Sequence, residues 1–136
     1  MGIKSKTVII AVVIVIALIG ALISVRLFSN EDLWIKDSKG IWVKHGNPSQ
    51  TPDYVLKQQN AIDCGKILYA SVKSLSVELN SKCLGNCEDY AVDLVNVPRN
   101  ADDEKSENQC LSFTNGEMKN FIELDNNGNI VRVVEG

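Results

Sequence analysis

An α+β fold carried on a membrane helix is what this sequence predicts, and three stretches predict it. Thr7 to Val25 is a continuous apolar run without a charge. Residues 51–79 carry apolar side chains at helical spacing, and from Tyr90 onward short apolar runs alternate with turn residues. The expected layout is an N-terminal transmembrane helix, a small domain opening with a hairpin, one long helix, and a three- to four-stranded antiparallel sheet packed on that helix.

The apolar run comes first. As a helix it spans about 28 Å, close to the hydrocarbon thickness of a bilayer. A lone segment in lipid must satisfy its backbone internally, so the β-branched Val and Ile that dominate it do not make it a strand. The run is longer than a signal-peptide core, and Ala21-Leu22-Ile23 places a bulky residue where cleavage needs a small one. Lys4 and Lys6 lie on its amino-terminal side, which favours a cytoplasmic N-terminus. The chain is therefore expected to divide into a cytoplasmic tail at 1–6, a transmembrane helix at 7–28 that meets the lipid bilayer, and an extracytoplasmic domain at 29–136 of a single-pass cell-membrane protein.

That domain is acidic. All seventeen acidic residues lie at or beyond Glu31 and only eleven of the fourteen basic ones do, which leaves it at −6. Such a charge excludes a nucleic-acid footprint and adds nothing to adhesion on anionic lipid. One small domain fits this length, with a modest core that covalent bridges would help to stabilise.

Ser29 to Asp32 is a polar spacer. Residues 33–45 read as a hairpin turning at Asp37-Ser38-Lys39-Gly40, with Ile35 expected opposite Trp42 and Trp34 opposite Val43. Its two tryptophans are expected to pack as a lid on the domain. Thr51-Pro52-Asp53 starts a helix as N-cap, first-turn proline and dipole-matched acid. Ala61, Cys64, Leu68, Val72, Leu75 and Leu79 form its apolar stripe, and Gly65 within it suggests a close backbone approach. Residues 90–97, YAVDLVNV, suggest a central strand covered on both faces and stopped by Pro98. Residues 99–108 form an acidic loop, and Gln109 to Thr114 is a further expected strand. Asn127-Gly128 between two apolar runs predicts a two-residue hairpin that pairs Leu124 with Val131, Ile122 with Val133 and Glu123 with Arg132.

Four cysteines, Cys64, Cys83, Cys87 and Cys110, suggest two disulfides in an exported domain. Reach discriminates among the three pairings. With the helix running to Leu79, Cys64 lies about 22 Å behind its end, while four further residues extend about 14 Å at most. Cys83 then cannot return to Cys64, so Cys64–Cys110 with Cys83–Cys87 is the expected arrangement. A helix ending near Lys73 weakens this argument. Two other readings use the same residues: a redox-active Cys83-x-x-x-Cys87 pair, or four thiolates around a structural zinc.

His45 is the only histidine and sits in a connector, and the catalytic motifs HExxH, GxSxG and the P-loop do not occur. No catalytic residue, cofactor or metal is therefore expected. The function expected is that of a non-enzymatic accessory or recognition domain with a protein partner. A short basic leader, an apolar helix and a later β-meander resemble pilin-like subunits in outline, and that resemblance implies a filament subunit. The chain departs from that family's pattern in lacking a glutamate five residues into the apolar run and in placing a hairpin over residues 34–43 behind it.

Overall fold

The computed structural model of the chain describes residues 5–28, 33–75 and 78–136, so the expected tail up to residue 4 and the polar spacer at 29–32 lie outside it. Helix α1 (Ser5–Phe28) contains the apolar run. Over Thr7–Val25 it is long and apolar enough to cross a membrane, and every side chain there is exposed.

A hairpin of β1 (Leu33–Lys36) and β2 (Trp42–His45) follows. Its turn is closed by two backbone bonds, Gly40 N to Asp37 O at 3.0 Å and Asp37 N to Ile41 O at 2.9 Å. The Asp37 Oδ1 accepts from Lys39 N at 2.8 Å and Ile41 N at 2.9 Å, and Gly40 takes φ +81°. This is a three-residue loop with a left-handed glycine. It sets Ile35 opposite Val43 and Lys36 opposite Trp42, one residue away from the expected pairing.

Helix α2 (Asp53–Ser74) begins at the Thr-Pro-Asp signal, one residue later than expected, with Pro52 rather than Thr51 at the N-cap and no side chain capping it. It stops five residues before Leu79. Ser71 Oγ donates to Ile67 O and Ser74 Oγ to Ser71 O, so serine hydroxyls compete for the carbonyls of the last turn. The buried face also differs from the expected stripe. It runs through Val55, Gln58, Ala61, Ile62, Gly65 and Tyr69, with Cys64 and Leu68 at its margin and Leu75 71% exposed.

Strands β3 (Lys82–Cys87), β4 (Tyr90–Leu94), β5 (Asn120–Leu124) and β6 (Ile130–Val134) form a sheet in that order. The architecture is α+β, as the sequence predicts, with a separate two-stranded hairpin, one long helix and a four-stranded sheet. One detail departs from the expected meander: β4 and β5 run parallel. A parallel pair needs a crossover, and the chain between them supplies one, with two 3₁₀ turns (Ala101–Glu104 and Ser106–Asn108) and a short helix α3 (Leu111–Thr114). Part of the expected strand over residues 109–114 is thus helical. Strand β3 has no counterpart among the expected strands.

The β5–β6 turn repeats the first one. Asp125 Oδ1 accepts from Asn127 N and Asn129 N, both at 2.8 Å, and Gly128 N donates to Asp125 O at 2.9 Å. This three-residue loop pairs Leu124 with Ile130 rather than Val131. An irregularity at the next residue absorbs Val131 and restores the expected Glu123–Arg132 and Ile122–Val133 pairs. The first hairpin's turn caps the outer edge of β6: Val133 N donates to Lys39 O at 2.7 Å and Lys39 Nζ to Ile130 O at 2.8 Å.

One face of the sheet, with Tyr90, Val92, Leu94, Ile122, Leu124 and Val133, joins Ala61, Ile62 and Tyr69 of α2 in the core. The approach suggested by Gly65 is present, since a Cβ there would lie 3.3 Å from Val92 Cγ1.

Candidate functional site

The other face of the sheet carries the charge. Alternation in β4 turns Asp93 away from α2, and the strand pairings align Cys83, Asp93, Glu123 and Arg132 in one row across all four strands. Above this row lies a cavity of about 310 Å³, walled by Asp93, Arg99, Asp103, Glu104, Glu123 and Phe121 among others.

Most of these charges are already committed. Glu123, 4% exposed, accepts from Arg99 Nη1 at 2.7 Å and from Arg132 Nη2 at 2.9 Å. Asp103, 3% exposed, accepts from Asn96 N at 2.9 Å and Asn100 N at 2.8 Å. Burial pushes the Asp103 carboxyl up, but these hydrogen bonds outweigh it and hold it below the ordinary range. Asp93 is different. Its one backbone donor is Cys110 N, at 3.1 Å. Burial dominates, the Glu123 charge adds to it, and the Asp93 carboxyl is raised from 3.8 to about 6.

Asp93 sits beside a disulfide. The structure joins Cys64 to Cys87 and Cys83 to Cys110, not Cys64 to Cys110 and Cys83 to Cys87. Two local features explain the correction. Helix α2 ends at Ser74, and β3 then runs back along it, so that Gly85 lies against Leu68 and Cys87 reaches Cys64. Within β3, Cys83 and Cys87 are too far apart in an extended strand to bond, at about 13 Å. The bulge between Cys83 and Gly85 also turns them to opposite faces: Cys87 pairs with Tyr90 on the α2 side, Cys83 with Asp93 on the other. The two sulfurs lie in different bridges, so the Cys83–Cys87 bond that the alternative redox reading needs is not formed in this structure. All four cysteines are bridged, so no thiolate is free for zinc in this state.

A second hollow, of about 410 Å³, lies between the first hairpin and α2, lined by Trp42, Tyr54, Tyr90 and Glu135 among others. Trp42 packs on Tyr54 with ring centroids 4.8 Å apart, consistent with a hairpin lid. Gln58, fully buried, accepts from Trp42 N at 2.8 Å and donates to Gly40 O and Glu135 Oε1, both at 3.0 Å. Tyr90 OH also donates to Glu135 Oε1, and Lys36 Nζ lies 2.8 Å from Glu135 Oε2. Burial raises the Glu135 carboxyl and these partners bring it below its ordinary value, while burial and that same carboxylate push the Tyr90 hydroxyl upward. The Trp42 Nε1 is buried and has no partner among the described residues.

His45 lies at the exposed end of β2. Asp93, Gln58 and Glu135 were missed in the sequence. A signal existed for Asp93, an acid inside a strand otherwise apolar on both faces. Gln58 also had one, a polar residue three positions after Val55 on the helix. No family model, curated protein or solved structure matches this chain.

Proposed function

We propose that this chain is a single-pass membrane protein whose acidic, disulfide-braced domain lies outside the cytoplasm and acts by recognising a protein partner rather than by turnover. The observation that carries the reading is the pairing of an exposed, uncharged helix over Thr7–Val25 with a domain whose four cysteines are all bridged. A lipid span accounts for the first and an oxidising compartment for the second. The side chains around both hollows support binding: Arg99 and Arg132 are held by Glu123, while Lys36, Gln58 and Tyr90 are held by Glu135. Groups so committed shape a surface and have little freedom to shuttle charge.

The test is made on membranes from cells expressing the full chain. In right-side-out vesicles a membrane-impermeant maleimide is expected to label the cysteines only after reduction, and in inverted vesicles not at all. Free thiols that react in inverted vesicles without reductant would place the domain in the cytoplasm and remove the reading. A photo-crosslinker at Tyr54 is then expected to trap a discrete partner from intact membranes.

A further inference from the structure

The two bridges stand in different surroundings. Cys64–Cys87 belongs to the core: Cys87 is 2% exposed and Cys64 packs against the same cluster. In Cys83–Cys110 the two residues are unequal. Cys83, on the edge strand, is at least partly open to solvent, whereas Cys110 is 1% exposed. The buried sulfur lies 3.4 Å from Val92 O and 3.6 Å from Gly85 O. Both sulfurs and an Asp93 oxygen lie within 4.8 Å of one another.

We infer that Cys83–Cys110 is an exchangeable disulfide that accepts two electrons from a dithiol on a partner protein, with Asp93 supplying the proton that the departing Cys110 sulfur requires. This goes beyond the recognition reading and shares with it only the oxidising compartment, which the vesicle experiment tests separately. The chemistry follows from position. A thiolate can reach Cys83, and the Cys83–Cys110 bond breaks with its electron pair on Cys110. A thiolate among two carbonyl oxygens and a carboxyl is disfavoured, so that sulfur must leave as a thiol. Asp93 gives it a proton, relayed by one water from the adjoining polar cavity. The partner's second thiolate, whose proton returns to the Asp93 carboxylate, then attacks the partner sulfur of the mixed disulfide. Cys83 is released as a thiolate and takes a proton from solvent. The partner dithiol ends oxidised to a disulfide and the domain ends as a dithiol. Once reduced, the Cys110 thiol has Val92 O and Gly85 O as ready acceptors.

Asp93 is protonated in the range set by its neighbours. Glu123 on β5 opposes its ionisation, and Arg99 favours it. Arg132 on β6 lies on Glu123, and Asp103 and Glu104 of the crossover line the same cavity.

The experiment uses the full chain in detergent micelles, with dithiothreitol as the dithiol and rapid alkylation followed by peptide mapping. Cys83–Cys110 is expected to open at least about tenfold faster than Cys64–Cys87, and in Cys110→Ser, glutathione disulfide is expected to form an adduct on Cys83. The opening rate, divided by the fraction of dithiothreitol present as thiolate, is expected to fall about tenfold or more between about pH 5.5 and pH 7.5, and to stay flat in Asp93→Asn. Equal opening rates, earlier opening of Cys64–Cys87, or a wild-type profile with no fall overturns the proposal. The wild-type profile decides the role of Asp93 even where Asp93→Asn does not fold.

Discussion

Asp93 shows how much one buried side chain carries. Its carboxyl, 9% exposed, titrates at about 6 instead of 3.8, so the folded chain retains a proton that the unfolded chain has shed across that interval. Stability contributed by this group is therefore greatest below about pH 4 and declines as pH rises to about 6, by up to about 3 kcal/mol. Glu135, Asp103 and Asp125 run the other way, because their lowered values give stability that is lost as pH falls. Those three are common to wild type and Asp93→Asn, so the difference between the two proteins isolates Asp93. Urea unfolding of both chains in micelles is expected to show Asn gaining on Asp from about pH 4 to 6, with a constant gap above. A gap that does not change with pH would mean that the carboxyl is not held protonated in the fold. Gln58 illustrates the opposite case, a buried polar side chain with partners for both its oxygen and its nitrogen, tying hairpin, helix and C-terminus together.

At the scale of elements, the two Asp-x-x-Gly turns and the β3 bulge decide the registers. Neither of these two hairpins uses a two-residue loop, unlike β3 and β4, which are joined by Glu88 and Asp89 alone, and each aspartate is committed to backbone N–H groups across its turn. The first turn is also a docking surface. A Cβ on Gly40 would sit 2.1 Å from Val133 O, at φ +81°. Gly40→Ala is expected to cost about 3 kcal/mol or more, since it combines left-handed strain with loss of the β6 edge contact. Gly65→Ala is the informative contrast. Helix propensity favours alanine by about 1 kcal/mol, and the price is a tight contact with a Val92 methyl, so the net change is expected to stay within about 1 kcal/mol. Thermal unfolding of the two variants side by side checks this, and similar losses for both would contradict the docking of the turn on β6.

For the whole molecule, the disulfides tie both sides of the sheet to its edge strand. Cys87 fastens β3 to α2, and Cys83 fastens it to the crossover at Cys110, closing separations of 23 and 27 residues. Loop closure alone assigns each about 3–4 kcal/mol. Replacing Cys64 and Cys87 by serine is expected to cost more than replacing Cys83 and Cys110, because it also opens the core. Single variants read the connectivity: Cys64→Ser is expected to leave Cys87 as the free thiol in a peptide map. A free Cys110 instead would restore the pairing that helix reach had favoured.

The sequence by itself determined the elements whose signals are local: the apolar helix by length and lack of charge, the start of α2 by Thr-Pro-Asp, the buried central strand by its apolar run, and the C-terminal hairpin by its turn residues and its Glu123–Arg132 and Ile122–Val133 pairs. The tertiary structure decided what depends on distant partners. The end of α2, the return of β3 along it and the parallel β4–β5 pair are settled by packing, and the disulfide pairing follows from all three. The row of Cys83, Asp93, Glu123 and Arg132 follows in the same way, because its members are separated in the chain and meet only when one bulge and two registers place them on one face of the sheet.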